Sequence, residues 1–224
     1  MLRVMTTGAA SARIRSFGPK VSAILLGTLM IAATASASAQ NGKIGAPASA
    51  TYDNKYEVYG GINFMNFQAG QNLPNRANLG GVELSGTYWL TNRLGLTGDY
   101  RGEAGTTPVL PSPASFRPAR QLMYLNMGMG GVQYRGPKNH YAAVNYHAYF
   151  GAAHGTFDGP STYDVGLYTN RTKPIAALGG SLDYNRTKNL AFRLSPDLIL
   201  EHFGTETREF FAISGGVIYR FGKK

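Results

Sequence analysis

The chain has 224 residues, 43% of them hydrophobic and only 15% charged, with 29 Gly, 14 Tyr, no Cys and a formal charge of +10. That length fits one large domain or two small ones, and the composition excludes a disordered chain and a helical membrane protein. Without Cys there is no disulfide framework, thiolate metal site, Cys nucleophile or lipidated N-terminal Cys, whereas few charges with many Gly and Tyr point to β structure.

The first 20 residues carry Arg3, Arg13, Arg15 and Lys20 with no acid. An apolar run over 21–35 and the small residues Ala37, Ser38 and Ala39 follow, which together read as a secretory signal peptide spanning 1–39. The apolar run is too short to be a membrane anchor, which needs roughly 20 residues. Cleavage there would leave 18 bases against 12 acids, a charge of +6. Residues 40–54, rich in Ala, Ser, Gly and Asn, read as a flexible linker ahead of a domain over 55–224.

From residue 55 the hydrophobic period is two, the signature of strands. Eight segments are expected, at 55–67, 82–90, 94–101, 121–135, 141–152, 174–185, 192–201 and 208–221. The clearest sets Phe192, Leu194, Leu198 and Leu200 against Arg193, Ser195, Asp197 and Glu201. The second sets Val82, Leu84, Gly86, Tyr88 and Leu90 against Glu83, Ser85, Thr87 and Trp89, and the third does the same with Asp99 and Arg101. These three strands thus have one oily and one polar or ionic face, and the other five runs alternate less cleanly.

The connections alternate in length. Those at 91–93, 136–140 and 186–191 are short, those at 68–81, 102–120 and 153–173 are long, and the last, 202–207, is short where the pattern calls for a long one. Short turns at one end and long loops at the other are the plan of an all-β, eight-stranded antiparallel up-and-down transmembrane β-barrel. A soluble lipocalin-like ligand-binding barrel has the same strand count but the opposite facing of charge. Aromatic placement separates the two. Tyr56, Tyr88, Trp89, Tyr134, Tyr141, Tyr184, Phe192, Tyr219 and Phe221 all fall at the short-turn ends of their strands, as an interfacial girdle would.

The order of signal peptide, linker and eight strands, with the closing run Gly215-Gly216-Val217-Ile218-Tyr219-Arg220-Phe221-Gly222, resembles the bacterial outer-membrane β-barrel domain of the opacity-protein and OmpA/OmpX type. The segments Tyr146-His147-Ala148-Tyr149-Phe150-Gly151 and Ala176-Ala177-Leu178-Gly179-Gly180-Ser181-Leu182-Asp183-Tyr184 support it, and the resemblance covers residues 56–221. It implies location in the bacterial outer membrane, both termini in the periplasm, and as partners outer-membrane lipid, periplasmic chaperones and the barrel assembly machinery. The chain departs from the pattern in carrying Gly222, Lys223 and Lys224 after Phe221, where many relatives end on the aromatic. It departs again at Pro196, which removes a ladder donor and predicts a bulge or irregular pairing.

With the oily face toward lipid, Glu57, Glu83, Asp99, Asp183, Asp197 and Glu201 point inward with Arg101, Arg193 and Arg220. Eight strands enclose a space that side chains fill, so these charges are expected to form ion-pair networks centred on Arg193 and Arg220 that plug the lumen. An ion path, making the protein a narrow porin-like channel, is the alternative reading of the same set. On the short-turn side Lys43, Lys55, Arg93, Arg135, Lys138, Arg186, Lys188, Lys223 and Lys224 outnumber Asp53, a rim charge of +8. Either anionic lipid or an acidic partner would suit such a rim, or the bases simply snorkel at an interface.

No enzyme is expected. His140, His147 and His154 are spaced by seven, which flips faces on a strand, and no H-E-x-x-H, G-x-S-x-G or phosphate-binding Gly loop occurs. No metal, cofactor or nucleic acid is expected either, because the bases form no stripe. Two Asn-x-Thr sequons, at Asn170 and Asn185, carry no weight in a bacterial envelope protein. What remains is a structural or adhesin-like scaffold displaying the loops at 102–120, with four prolines, and 153–173 toward an extracellular surface ligand.

Overall fold

Residues that alternate between oil and charge can satisfy both faces only in a strand, and here every such segment is one. The computed structural model describes residues 50–68, 76–106, 122–157, 170–203 and 206–223. In chain order the strands are β1 (Asn54–Gln68), β2 (Arg76–Trp89), β3 (Leu94–Thr106), β4 (Leu122–Lys138), β5 (Ala142–Phe157), β6 (Arg171–Asn185), β7 (Leu190–Phe203) and β8 (Glu206–Lys223). Each pairs antiparallel with its sequence neighbours, and β1 pairs with β8 to close the barrel. At 13 to 18 residues they exceed the ~10 that a tilted strand needs to cross a bilayer.

The extra length lies mostly at the long-loop end, where the sequence pattern misleads. β2 starts at Arg76 rather than 82, β3 runs to Thr106 rather than 101, and β5 to Phe157 rather than 152. Polarity inverts there. Ala77 and Leu79 point inward while Arg76 and Asn78 point outward, the reverse of Glu83 and Leu84 further down the same strand. A strand whose apolar face changes sides partway shows no sustained alternation of one sense, so its upper part reads as loop.

Along the middle of the barrel the outward face is apolar. Ile62 is 74% exposed and Phe150 68%, with Val82, Leu84, Leu96, Val132, Leu178 and Leu194 around them. Side chains of that size in a continuous belt suit lipid and not water. The inward neighbours of the same residues, Glu83, Asp99, Arg101 and Arg193, are buried. Charge therefore faces in, opposite to a soluble ligand-binding barrel.

Closure on eight strands demands tight coiling, and inward-facing glycines allow it. A Cβ on Gly81 would overlap the Gly102 carbonyl of β3, and one on Gly151 would overlap the Gly128 carbonyl of β4. Pro196 faces Ile213 of β8 in regular register, while the ladder to β6 lapses between the pairs Gly179–Asp197 and Leu182–Leu194. Pairing resumes in the same register, so the proline makes a gap without a bulge. The Ser195 hydroxyl donates to the Gly180 carbonyl across it at 3.4 Å. The register shift falls elsewhere, between Arg135 and Lys138 at the end of β4.

All three short turns are pinned by one side chain each. Thr91 Oγ1 accepts the Leu94 amide at 2.9 Å, Asn139 Oδ1 the Ala142 amide at 2.7 Å, and Thr187 Oγ1 the Leu190 amide at 3.0 Å. Such turns, with Asn, Ser or Thr oxygens replacing a backbone acceptor, are local and rigid. At the opposite end β7 and β8 stay paired as far as Phe203 and Glu206.

Candidate functional site

Inward-facing residues stack in three tiers from the short-turn end upward. The lowest is ionic. Glu57 of β1 accepts from Arg193 Nη2 of β7 at 2.7 Å, from Arg220 Nε of β8 at 3.0 Å and from Arg135 Nη2 of β4 at 3.3 Å. Asp183 of β6 meets Arg193 Nε at 2.7 Å and Arg220 Nη2 at 2.8 Å, and takes a further bond from Asn145 Nδ2 at 2.9 Å. Asn185 Oδ1 accepts from Arg220 Nη1 at 2.7 Å. Six strands thus contribute to a cluster built on two carboxylates, and all of these side chains are buried.

A second tier centres on Arg101 of β3. It lies 2.6 Å from Asp197 of β7, 2.9 Å from Asp99 and 3.6 Å from Glu83 of β2. His147 Nε2 is 2.6 Å from the other oxygen of Asp197, and its ring stacks on Tyr149 with centroids 4.5 Å apart. On the β2–β4 side Thr87, Thr97 and Gln133 join through hydroxyl and amide contacts. The third tier is apolar. Met65, Leu79, Met123, Leu125, Met127, Met129, Ile175, Ile199 and Phe210 form one cluster toward the long loops. Glu103 and Glu201 are buried at this level, Glu201 opposite Ile175 and Arg208 and apart from both networks.

The nine inward charges singled out from the pattern, Glu57, Glu83, Asp99, Arg101, Asp183, Arg193, Asp197, Glu201 and Arg220, are all buried. Eight of them fall into the two networks. Arg135, placed at the rim by the sequence, is instead a lumen residue that is 1% exposed. Counting by twos from the outward Tyr134 would have put it inside, but β4 has Met or Leu on both faces and gives little contrast.

Trp89 is the second correction. Adjacent residues on a strand face opposite ways, so Tyr88 and Trp89 cannot both join the girdle. Trp89 is 1% exposed and turns inward, with the Arg135 guanidinium 3.7 Å from its ring centroid. Tyr56, Tyr88, Tyr134, Tyr141, Tyr184, Phe192, Tyr219 and Phe221 point outward at the short-turn end. Tyr88, Tyr56 and Phe221 make a continuous row across β2, β1 and β8, with centroids 5.5 and 5.4 Å apart. Phe64, Tyr124 and Phe211 face outward near the other end.

The third correction concerns residues assigned to the flexible linker. Tyr52 is 4% exposed and closes the lower mouth of the lumen. Its hydroxyl donates to the Asn139 carbonyl at 2.9 Å, and its ring lies 4.9 Å from the Arg135 guanidinium and 5.3 Å from that of Arg220. Burial pushes its pKa up, so it remains a donor. The backbone enters this position at φ 56°, a left-handed conformation uncommon for a residue with a side chain. Nothing in the composition of 40–54 distinguishes this tyrosine from a solvated one.

The arrangement is a stopper. From Tyr52 to Phe210 each level carries side chains from facing strands, and the charges of the two lower tiers are drawn into ion pairs, most of them between strands. His154 is on the outer surface, bonded to Thr172, while His147 is inside, so the two share no site. Among the described residues no cluster of three metal-ligating side chains occurs. No described helix is long and apolar enough to cross a membrane, which leaves crossing by strands open.

No family model and no curated protein matches the chain. Solved structures do. Neisserial surface protein A aligns over 75% of this chain and 97% of its own at 14% identity, with a TM-score of 0.57. Ail, the attachment invasion locus protein of Yersinia pestis, solved with the heparin analogue sucrose octasulfate, aligns over 75% and 99% at 18% identity, with a TM-score of 0.50. The fold is thus that of the eight-stranded outer-membrane barrels.

Proposed function

We propose that the protein resides in the bacterial outer membrane as a closed, non-conducting barrel and acts as a scaffold presenting its long loops to ligands at the cell surface. The observation that carries this is the filled lumen: two ion-pair networks on Glu57, Asp183 and Arg101 beneath a packed apolar tier. Such an interior serves stability and leaves the loops as the part free to recognise something. Attachment is a role that this fold carries in the Yersinia protein by its name. The scaffold has no catalytic role in this reading, with His147 held against Asp197 inside the barrel.

Export by the N-terminal segment belongs to the same reading. Mass analysis of the membrane-extracted protein should give a chain beginning at Gln40. Boiling should change its migration on an SDS gel, as a detergent-stable barrel does when it opens. In planar bilayers the wild-type protein should show no discrete conductance, and Arg193→Leu should not create one. A stable single-channel current in wild type would replace the stopper with a narrow pore. Cells displaying a variant that lacks residues 107–120 should lose surface attachment while the barrel keeps its gel shift.

A further inference from the structure

Of the bases expected at the short-turn rim, Lys43 and Lys224 lie outside the described residues and Arg135 belongs to the lumen, which leaves six among the described residues: Lys55, Arg93, Lys138, Arg186, Lys188 and Lys223. They are distributed around the ring. Lys55 and Lys223 stand on the paired ends of β1 and β8, Arg93 in the β2–β3 turn, Lys138 at the end of β4, and Arg186 and Lys188 in the β6–β7 turn. Among the described residues the one exposed acid at this level is Asp53, which accepts from the Thr51 hydroxyl and also feels the charges of Lys223 and Lys188.

Two of the cations are held at the height of the outward aromatics. Lys55 Nζ lies 5.4 Å from the ring centroid of Tyr88 and 6.0 Å from that of Tyr56. Arg93 Nη1 donates to the Tyr134 hydroxyl at 3.2 Å. Those rings mark the level where hydrocarbon gives way to headgroups. Phenol and ring contacts orient a cation without cancelling its charge. The turns that carry Arg93, Arg186 and Lys188 are themselves pinned by Thr91 and Thr187.

We infer that this rim is a binding surface for anionic phospholipid headgroups, a girdle of fixed cations immediately outside the girdle of aromatic rings. An acidic protein would need a one-sided patch, whereas charge spread over the whole circumference matches an annulus of lipid. At the other end Arg76, outward on β2, is held by Asn66 and by the Glu209 carbonyl, at 3.0 Å for the latter.

This inference rests on the membrane reading above, and its test separates the two. The protein is extracted from membranes into neutral detergent, equilibrated with equal amounts of phosphatidylglycerol and phosphatidylcholine at low salt, and purified, and the lipid retained per barrel is measured by mass spectrometry. Phosphatidylglycerol should be enriched about fivefold or more, the factor one engaged base supplies near an anionic surface. The combined variant Lys55→Gln, Arg93→Gln, Lys188→Gln should fall toward parity, as should wild type in about 0.5 M salt, where screening is strong. Arg76→Gln at the far end should keep the enrichment. Each sample is checked for its heat-dependent gel shift, so a misfolded variant is recognised. Parity in wild type, or enrichment that survives the triple substitution, overturns the lipid rim while the barrel stands. A chain recovered in the soluble fraction overturns the membrane reading itself.

Discussion

The lower and upper halves of the lumen solve the same filling problem by opposite means. Below, Glu57 and Asp183 are shared among Arg135, Arg193 and Arg220, and every pair is directional. Above, Met65, Met123, Met127 and Met129 pack with Leu79, Ile199 and Phe210, and these contacts do not depend on angle. The lower half gains specificity at a high cost of error, because losing one partner strands a buried charge. The upper half tolerates change, since methionine adapts to its neighbours.

Substitutions on the two sides should show this asymmetry. Arg193→Leu removes a partner from both Glu57 and Asp183, and urea unfolding in detergent should register a loss of about 3–5 kcal/mol. Leu79→Ala in the upper tier should cost about 2–4 kcal/mol by leaving a cavity. A cost for Leu79→Ala larger than that for Arg193→Leu would break the contrast. Tyr52→Phe keeps the ring over the arginines and removes one hydroxyl, so about 1 kcal/mol is expected, with faster amide exchange at Asn139 to Ala142. Met127→Leu should change stability by less than about 1.5 kcal/mol, the smallest effect of the set.

The same contrast explains which parts of the barrel were legible in the sequence. Glu83 alternates with Leu84, and Arg193 with Leu194, so inward and outward faces can be read wherever charge opposes oil. In β4, Met123 and Met127 face in while Leu122 and Tyr124 face out, and hydrophobicity alone cannot tell the sides apart. Arg135 reads as a rim residue because it stands last in the expected strand 121–135, although β4 continues to Lys138. Trp89 shares its strand end with Tyr88 but not its face, since the period of two sends adjacent residues to opposite sides. Tyr52 had no pattern to join. Its burial follows from an open mouth lined by Arg135 and Arg220, which exists only after the barrel closes.

By itself the sequence determined eight strands, their up-and-down order, the outward oily belt and the burial of nine charges, because a strand sends alternate side chains to opposite faces and turns follow from local residues. Only the tertiary structure decided who neutralises whom. Glu57 meets Arg193 and Arg220 at separations of 136 and 163 residues. Such partners are chosen by the register of eight paired strands and by closure of β1 on β8, and no local period carries that information.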